Sequence, residues 1–260
     1  MLRIAALSST AIVMSMSAAL AAPAIGLVGD KTLVMFDTET LAVSGTKDVT
    51  GVDRLVGIDL RPSNKTLVGV TPDNVVVVID PATGAAEKLS TMDTKLPMGD
   101  SSVIVDFNPA ADKLRFMSGT TNHRVDVETG KVTVDGSLAY EAKDMHAGEA
   151  PNIVAAAYIN SYGKPEKTKM FDIDATIVAL IQQTSPNDGT LAAIGKLGLD
   201  GAKGPFAFDV ETGADMMNTA WLVNANTLYS VDLDSGKAAA KGKIEGVNGD
   251  IRDITIMPTM

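Results

Sequence analysis

The feature that most restricts this chain is a recurring phrase: a short apolar strand that ends in Asp and runs into a turn made from Thr, Ser or Gly. Thr32-Leu33-Val34-Met35-Phe36-Asp37 meets Thr38-Glu39-Thr40, and Val76 to Asp80 meets Pro81-Ala82-Thr83-Gly84. Arg124-Val125-Asp126 meets Val127-Glu128-Thr129-Gly130, and Lys169-Met170-Phe171-Asp172 meets Ile173-Asp174-Ala175-Thr176. Thr227-Leu228-Tyr229-Ser230-Val231-Asp232 meets Leu233-Asp234-Ser235-Gly236. The markers Asp37, Asp80, Asp126, Asp172 and Asp232 step by 43, 46, 46 and 60 residues. A period in the forties with several short strands per unit is the pattern of propeller blades. In such turns the Asp or Thr oxygen accepts backbone N–H groups, and Gly supplies a positive φ. Val, Ile and Thr fill the strands between the turns, and helical periodicity is nearly absent beyond the N-terminus.

A second series marks the strand that opens each unit. Ile58-Asp59-Leu60-Arg61-Pro62, Val105-Asp106-Phe107-Asn108-Pro109 and Phe208-Asp209-Val210 share it, and one more unit fits around residues 153–160. The two ends are complementary. Residues 25–43 read as the second, third and fourth strands of a unit, and Asp253-Ile254-Thr255-Ile256-Met257-Pro258 reads as a first strand. Joined, they complete one blade, so the ring leaves no long unpaired edge. The expected fold is therefore an all-β, five-bladed propeller. Its units are the closing blade and roughly 55–90, 101–138, 139–182 and 190–245. A sixth sheet follows if residues 190–199 open one, and a two-sheet sandwich is the rival architecture.

The first residues stand apart from the repeat. Arg3 precedes an apolar run over residues 4–16, and Ala19-Leu20-Ala21 is a cleavage signal, so residues 1–21 read as a signal peptide and 22–260 as a single domain. Losing Arg3 takes the formal net charge from −10 to −11. That acidity disfavours nucleic acid and anionic membrane surfaces as partners. There is no Cys, which excludes disulfides, thiolate metal sites and thiol nucleophiles. The expected product is a soluble, monomeric periplasmic or secreted protein with no membrane anchor after cleavage.

Several phrases resemble one known family. They are Leu55-Val56-Gly57-Ile58-Asp59-Leu60-Arg61-Pro62, Asp106-Phe107-Asn108-Pro109 with Asp112-Lys113-Leu114-Arg115, Asp135-Gly136-Ser137-Leu138-Ala139-Tyr140, Ala157-Tyr158-Ile159-Asn160 and Pro186-Asn187-Asp188-Gly189-Thr190-Leu191. The chain resembles a bacterial secreted, propeller-like repeat family, domain of unknown function 4394. The resemblance implies fold and location, and it carries over no catalytic residue.

Candidate chemistry is sparse. His123 and His146 have no second His at ligand spacing and no G-x-S-x-G elbow to serve, so both read as surface or turn residues. The five marker Asp residues read as turn caps. Asp59, Asp106 and Asp209 share a position on the strand nearest the axis, where three carboxylates make an oxygen-ligand site for Ca²⁺. The competing reading has each held by Arg61, Arg115 or backbone N–H groups between blades. Asp172 with Asp174 and Asp232 with Asp234 are same-side pairs that read as solvated turn charge. Residues 186–190 read as a turn, and scattered Met residues such as Met216, Met217 and Met257 as core fillers. Few aromatic residues disfavour a sugar-stacking face. No catalytic residue is assigned. The functional expectation is a non-enzymatic binding module for an unknown protein or small ligand. The alternative is a lactonase-like hydrolase using a divalent cation on Asp59, Asp106 and Asp209.

Overall fold

The structure, a computed structural model, describes residues 22–99 and 101–257. The expected signal peptide and Pro258 lie outside these residues. Among the described residues there are twenty-one strands and no helix, and hence no helix long and apolar enough to cross a membrane.

The strands form five sheets arranged as blades of a propeller. Blade one holds β1 (Pro23–Val28), β2 (Thr32–Asp37) and β3 (Val43–Asp48), and its innermost strand is β21 (Ile251–Ile256). Blade two is β4 (Gly57–Arg61), β5 (Thr66–Val70), β6 (Val75–Ile79) and β7 (Ala86–Thr91); blade three is β8 (Val103–Asn108), β9 (Lys113–Ser118), β10 (Thr121–Asp126) and β11 (Lys131–Val134). Blade four is β13 (Ile153–Tyr158), β14 (Met170–Asp174), β15 (Ala179–Ser185) and β16 (Thr190–Lys196), with the two-residue β12 (Ala139–Tyr140) added in parallel outside β16. Blade five is β17 (Phe206–Thr212), β18 (Asn218–Asn224), β19 (Thr227–Val231) and β20 (Ala238–Lys243).

The closure follows the complementary ends of the sequence. β1 pairs antiparallel with β21, with Ala24 opposite Ile256, Gly26 opposite Ile254 and Leu27 opposite Asp253. The innermost strands then neighbour one another around the axis in the order β21, β4, β8, β13, β17.

Burial explains why the inner strands are apolar on both faces. Each blade packs face to face against two neighbours, so β4 is buried at every residue while the outermost strands β3, β11 and β20 have no buried residue. Five apolar clusters fill the five seams. Between blades one and two, for example, Ile25, Leu27 and Leu33 meet Ile58, Leu67 and Ile79. Blades two and three meet through Val68, Val70, Phe107 and Phe116. Each fully buried Leu, Ile, Val or Phe contributes about 1.5–3 kcal/mol relative to exposure. Alternation along the second strand of each blade divides its side chains between the two seams. Ile25 and Leu27 face blade two, whereas Ala24 and Val28 face blade five.

The Asp-headed turns cap as the sequence predicts at four of five markers. Asp37 Oδ1 accepts the N–H groups of Glu39 and Thr40, Asp80 Oδ1 that of Ala82, Asp126 Oδ1 those of Glu128 and Thr129, and Asp232 Oδ1 those of Asp234 and Ser235. Gly130 closes one such turn at a φ of 74°, and a Cβ there would stand 2.1 Å from the Thr91 carbonyl oxygen of the preceding blade. Glycine thus serves the turn and its docking on the neighbour.

Three sequence expectations need correction. Asp172 is not a turn cap: it lies inside β14, the second strand of its blade, whereas the other markers end or follow third strands. Blade four runs on through β16, so residues 190–196 are its outer strand and open neither a fifth nor a sixth sheet. Met216 and Met217 are 44% and 67% exposed and fill no core.

Candidate functional site

The ring brings Asp59 of β4, Asp106 of β8 and Asp209 of β17 together. One carboxylate oxygen from each lies within 4.8 Å of the others, and all three residues are buried. The equivalent places in the other two blades are Ala157 in β13 and Thr255 in β21, as the hydrogen bonds show.

Those bonds form a belt in one rotational sense. Phe107 N–H donates to Asp59 Oδ2 at 2.6 Å, Tyr158 N–H to Asp106 Oδ1 at 2.9 Å, and Ile256 N–H to Asp209 Oδ2 at 2.6 Å. Leu60 N–H donates to Thr255 Oγ1 at 3.0 Å, and that hydroxyl donates to Asp59 Oδ1 at 2.9 Å. In each case the side chain of one blade takes the N–H of the residue just past the equivalent position in the next. Ala157 has no acceptor to offer, and Val210 N–H turns to its neighbour Asp209 Oδ1 at 2.6 Å. Asp253 repeats the device two residues deeper, where Ile58 N–H donates to its Oδ2 at 2.8 Å. Gly57 is required beside it, because a Cβ would meet Val105 Cγ2 at 2.6 Å and Asp253 Oδ2 at 3.0 Å.

The two sequence readings of these Asp residues therefore divide. Backbone N–H groups between blades hold them, and the arginines do not. Arg61 pairs instead with Asp112, at 2.7 Å, and with Glu128. Arg115, 1% exposed, is enclosed by Asp135 at 2.7 Å, Asn122 Oδ1 at 2.8 Å, and Tyr158 Oη and Asn187 Oδ1 at 3.2 Å. This polar knot between blades three and four escaped the sequence reading, because its members come from five separate turns and strands.

Burial pushes Asp59, Asp106 and Asp209 above the usual carboxylate range. Repulsion from Asp209 adds to the rise at Asp59, and repulsion from Asp59 and Asp209 to that at Asp106. Donated N–H groups oppose the rise. Asp106 is the least satisfied of the three: among the described residues only Tyr158 N–H donates to it, and its Oδ2 accepts no protein hydrogen bond. Ca²⁺ takes oxygen ligands at about 2.3–2.6 Å, so oxygens across one ion stand roughly 4.6–5.2 Å apart. The trio is close enough to share such an ion, since oxygens that already accept N–H bonds keep a second lone pair.

Above this floor opens a cavity of about 490 Å³, bounded by Pro62, Lys65, Pro109, Asp112, Lys164 and Glu211, with Ser161, Tyr162 and Thr255. Its rim is made by the loops joining the first and second strands of blades two, three and four, together with the ends of β17 and β21.

Elsewhere the expected residues part company. His123 is no surface residue: it is buried on β10, its Nδ1 has no partner among the described residues, and burial lowers its pKa. His146 sits in a loop, with Nδ1 2.9 Å from Glu149 Oε2. Neither lines the cavity. Asp232 and Asp234 are turn charge, as expected, but Asp172 and Asp174 are buried. Asp174 is fully partnered, by Tyr140 Oη at 2.8 Å and the N–H groups of Asn152, Thr176 and Ile177. Among the described residues, neither oxygen of Asp172 has a partner.

No curated protein matches the chain. Among solved structures, the chain is similar to the extracellular domain assigned to a hybrid two component system of B. thetaiotaomicron, at 11% identity and a TM-score of 0.43, covering 86% of this chain and 28% of that one. It is also similar to a protein of unknown function from Bacteroides caccae, at 10% identity and a TM-score of 0.44, covering 84% and 72%. An auxiliary nutrient binding protein from Bacteroides ovatus matches at 11% identity and a TM-score of 0.46, covering 82% and 57%. The sequence profile of one family matches residues 32–255, nearly the whole propeller, and the chain accordingly belongs to the family described as Domain of unknown function (DUF4394).

Proposed function

We propose that this protein is an exported, soluble binding module that receives a ligand or partner protein over the axial cavity. One observation carries the reading. A concave, polar-floored cavity of about 490 Å³ sits where five rigid inner strands converge, walled by loops. Cavities of about 300–1,000 Å³ suit small ligands, and loops held by a rigid scaffold are where binding surfaces concentrate. Export is supported by Arg3, the apolar run behind it and Ala19-Leu20-Ala21. The chain has no Cys, so a photo-crosslinker can be attached at a single introduced thiol. Placed at Tyr162→Cys on the cavity face, it yields a discrete adduct from extracts of the producing cells, competed away by unlabelled protein. Placed at Asp73→Cys, on the opposite face, it yields none. Equal adducts from both positions, or none from either, would remove the reading.

A second reading is favoured by the spacing of the trio: a divalent-cation-dependent hydrolase, lactonase-like, with Ca²⁺ on Asp59, Asp106 and Asp209. It predicts that Ca²⁺ copurifies and that EDTA lowers Tm; an unchanged Tm with no metal in the purified protein excludes it.

A further inference from the structure

Five large apolar side chains stand exposed among the described residues: Val134, Met145, Tyr162, Met216 and Met217. Three of the five belong to two loops on the cavity face, residues 159–169 of blade four and 213–217 of blade five. The first is much longer than its counterparts at 62–65 and 109–112. The two loops are stitched together. Asn160 N–H donates to Asn218 Oδ1 at 3.0 Å, Asn218 Nδ2 donates back to Asn160 Oδ1 at 3.0 Å, and Ser161 N–H donates to Thr212 Oγ1 at 2.8 Å. Tyr162 and Met217 each stand one residue from a stitched partner, and Tyr162 lines the cavity wall. Apolar exposure on this face is thus gathered at one side of an acidic hole. Met and Tyr at such a place suit a protein contact, because Met adapts its shape and Tyr is enriched in interfaces.

The charge of the hole selects the partner. Five carboxylates line the cavity; Asp112 is paired with Arg61, which leaves four against the ammonium groups of Lys65 and Lys164, and among the described residues Asp106 Oδ2 has no protein donor. An ammonium donates along three tetrahedral directions at about 2.8 Å, so it reaches three acceptors standing roughly 4.6 Å apart. One oxygen from each of the trio lies within 4.8 Å of the others, inside the reach of a single ammonium.

We infer that the cavity and the two stitched loops are one docking surface, for a polypeptide that lowers a Lys or Arg side chain onto Asp59, Asp106 and Asp209 and rests flanking apolar residues on Tyr162, Met216 and Met217. This inference rests on the binding reading above and names its partner. The cation neutralises the repulsion among the buried carboxylates, and the apolar flanks exclude water from the rim.

A display library of random heptapeptides, panned against the full chain and counter-panned against Asp106→Asn, tests it. That substitution keeps an acceptor for Tyr158 N–H, and its melting curve verifies the fold. The expected winners carry Lys or Arg with apolar neighbours and bind Asp106→Asn about tenfold or more weakly. They also lose affinity several-fold on Met217→Ser and Tyr162→Ser. Winners without a basic residue, or winners that bind Asp106→Asn as well as the unaltered chain, overturn the inference, as does a library with no winners. The crosslink from position 162 is independent of all these outcomes. An adduct there with a non-basic contact leaves the binding reading standing and this inference refuted.

Discussion

Two sets of buried aspartates sit within one strand of each other in this ring and live under opposite conditions. Asp59, Asp106 and Asp209 lie on innermost strands, and every one accepts an N–H from the next blade. Asp172 lies one strand further out, on β14, between Ala156 and Ile181 in the apolar seam of blades three and four, with neither oxygen partnered. Both places are buried, the trio at the floor of the cavity and Asp172 away from it, but donors separate them more sharply than exposure does. At the axis, blades converge closely enough for one blade's backbone to reach its neighbour's side chain. At Asp172, apolar side chains fill the gap between the blades, and no backbone N–H among the described residues reaches its carboxylate. A carboxyl there must stay protonated, and burial pushes Asp172 up to about 8.

The largest expected effect therefore comes from Asp172→Asn. Asp172 has its folded pKa raised above the unfolded value, so the folded chain holds a proton that the unfolded chain releases between about pH 4 and 8. Its contribution to stability is fully present at the acid end and is lost as pH rises through that window, by up to about 1.4 kcal/mol per unit. The amide removes the proton from the balance. Denaturant unfolding should show the variant more stable by on the order of 3 kcal/mol at pH 7, converging with the unaltered chain at pH 4. A constant difference across that range would mean that Asp172 finds a partner after all.

At the axis the sign reverses. Asp59→Ala removes the acceptor of Phe107 N–H and of the Thr255 hydroxyl, leaving buried donors alone, and should cost about 2–3 kcal/mol by the same measurement. A neutral outcome would place Asp59 with Asp172 as a liability. The smallest change is Thr255→Val, nearly isosteric. Leu60 N–H keeps a second acceptor in Asp59 Oδ1 at 2.7 Å, so a loss of about 1 kcal/mol is expected. A larger loss would show the belt to be cooperative.

How legible these two regions were differs for a physical reason. The axial trio was visible because a ring places equivalent residues together, so a repeated Asp before an apolar residue sufficed. Its partners were not visible, since the donor belongs to the next blade and its backbone carries no residue-type signal. Asp172 was misread because Met170-Phe171-Asp172 copies Met35-Phe36-Asp37 letter for letter. In β2 that Asp ends a third strand at the surface, while in β14 it sits mid-strand in a second. The blade count and closure were legible from strand composition and complementary ends. The boundary of blade four was not, because its third strand ends at Ser185 and turns through Asp188 without the Asp-x-x-Thr-Gly phrase.

The pairing of Ala24 with Ile256 has a kinetic consequence. Apart from the short β12, four blades are hairpin stacks whose partners are near neighbours, and each can nucleate as soon as its own residues are free. The remaining sheet must wait for a contact between distant parts of the chain, and until then β1 presents a bare flank. Of all the strand pairings, that contact spans the most chain and so carries the largest single loop-closure cost. The final step of folding should therefore be slow, and the interval before it is when this chain is most open to strand exchange with another copy.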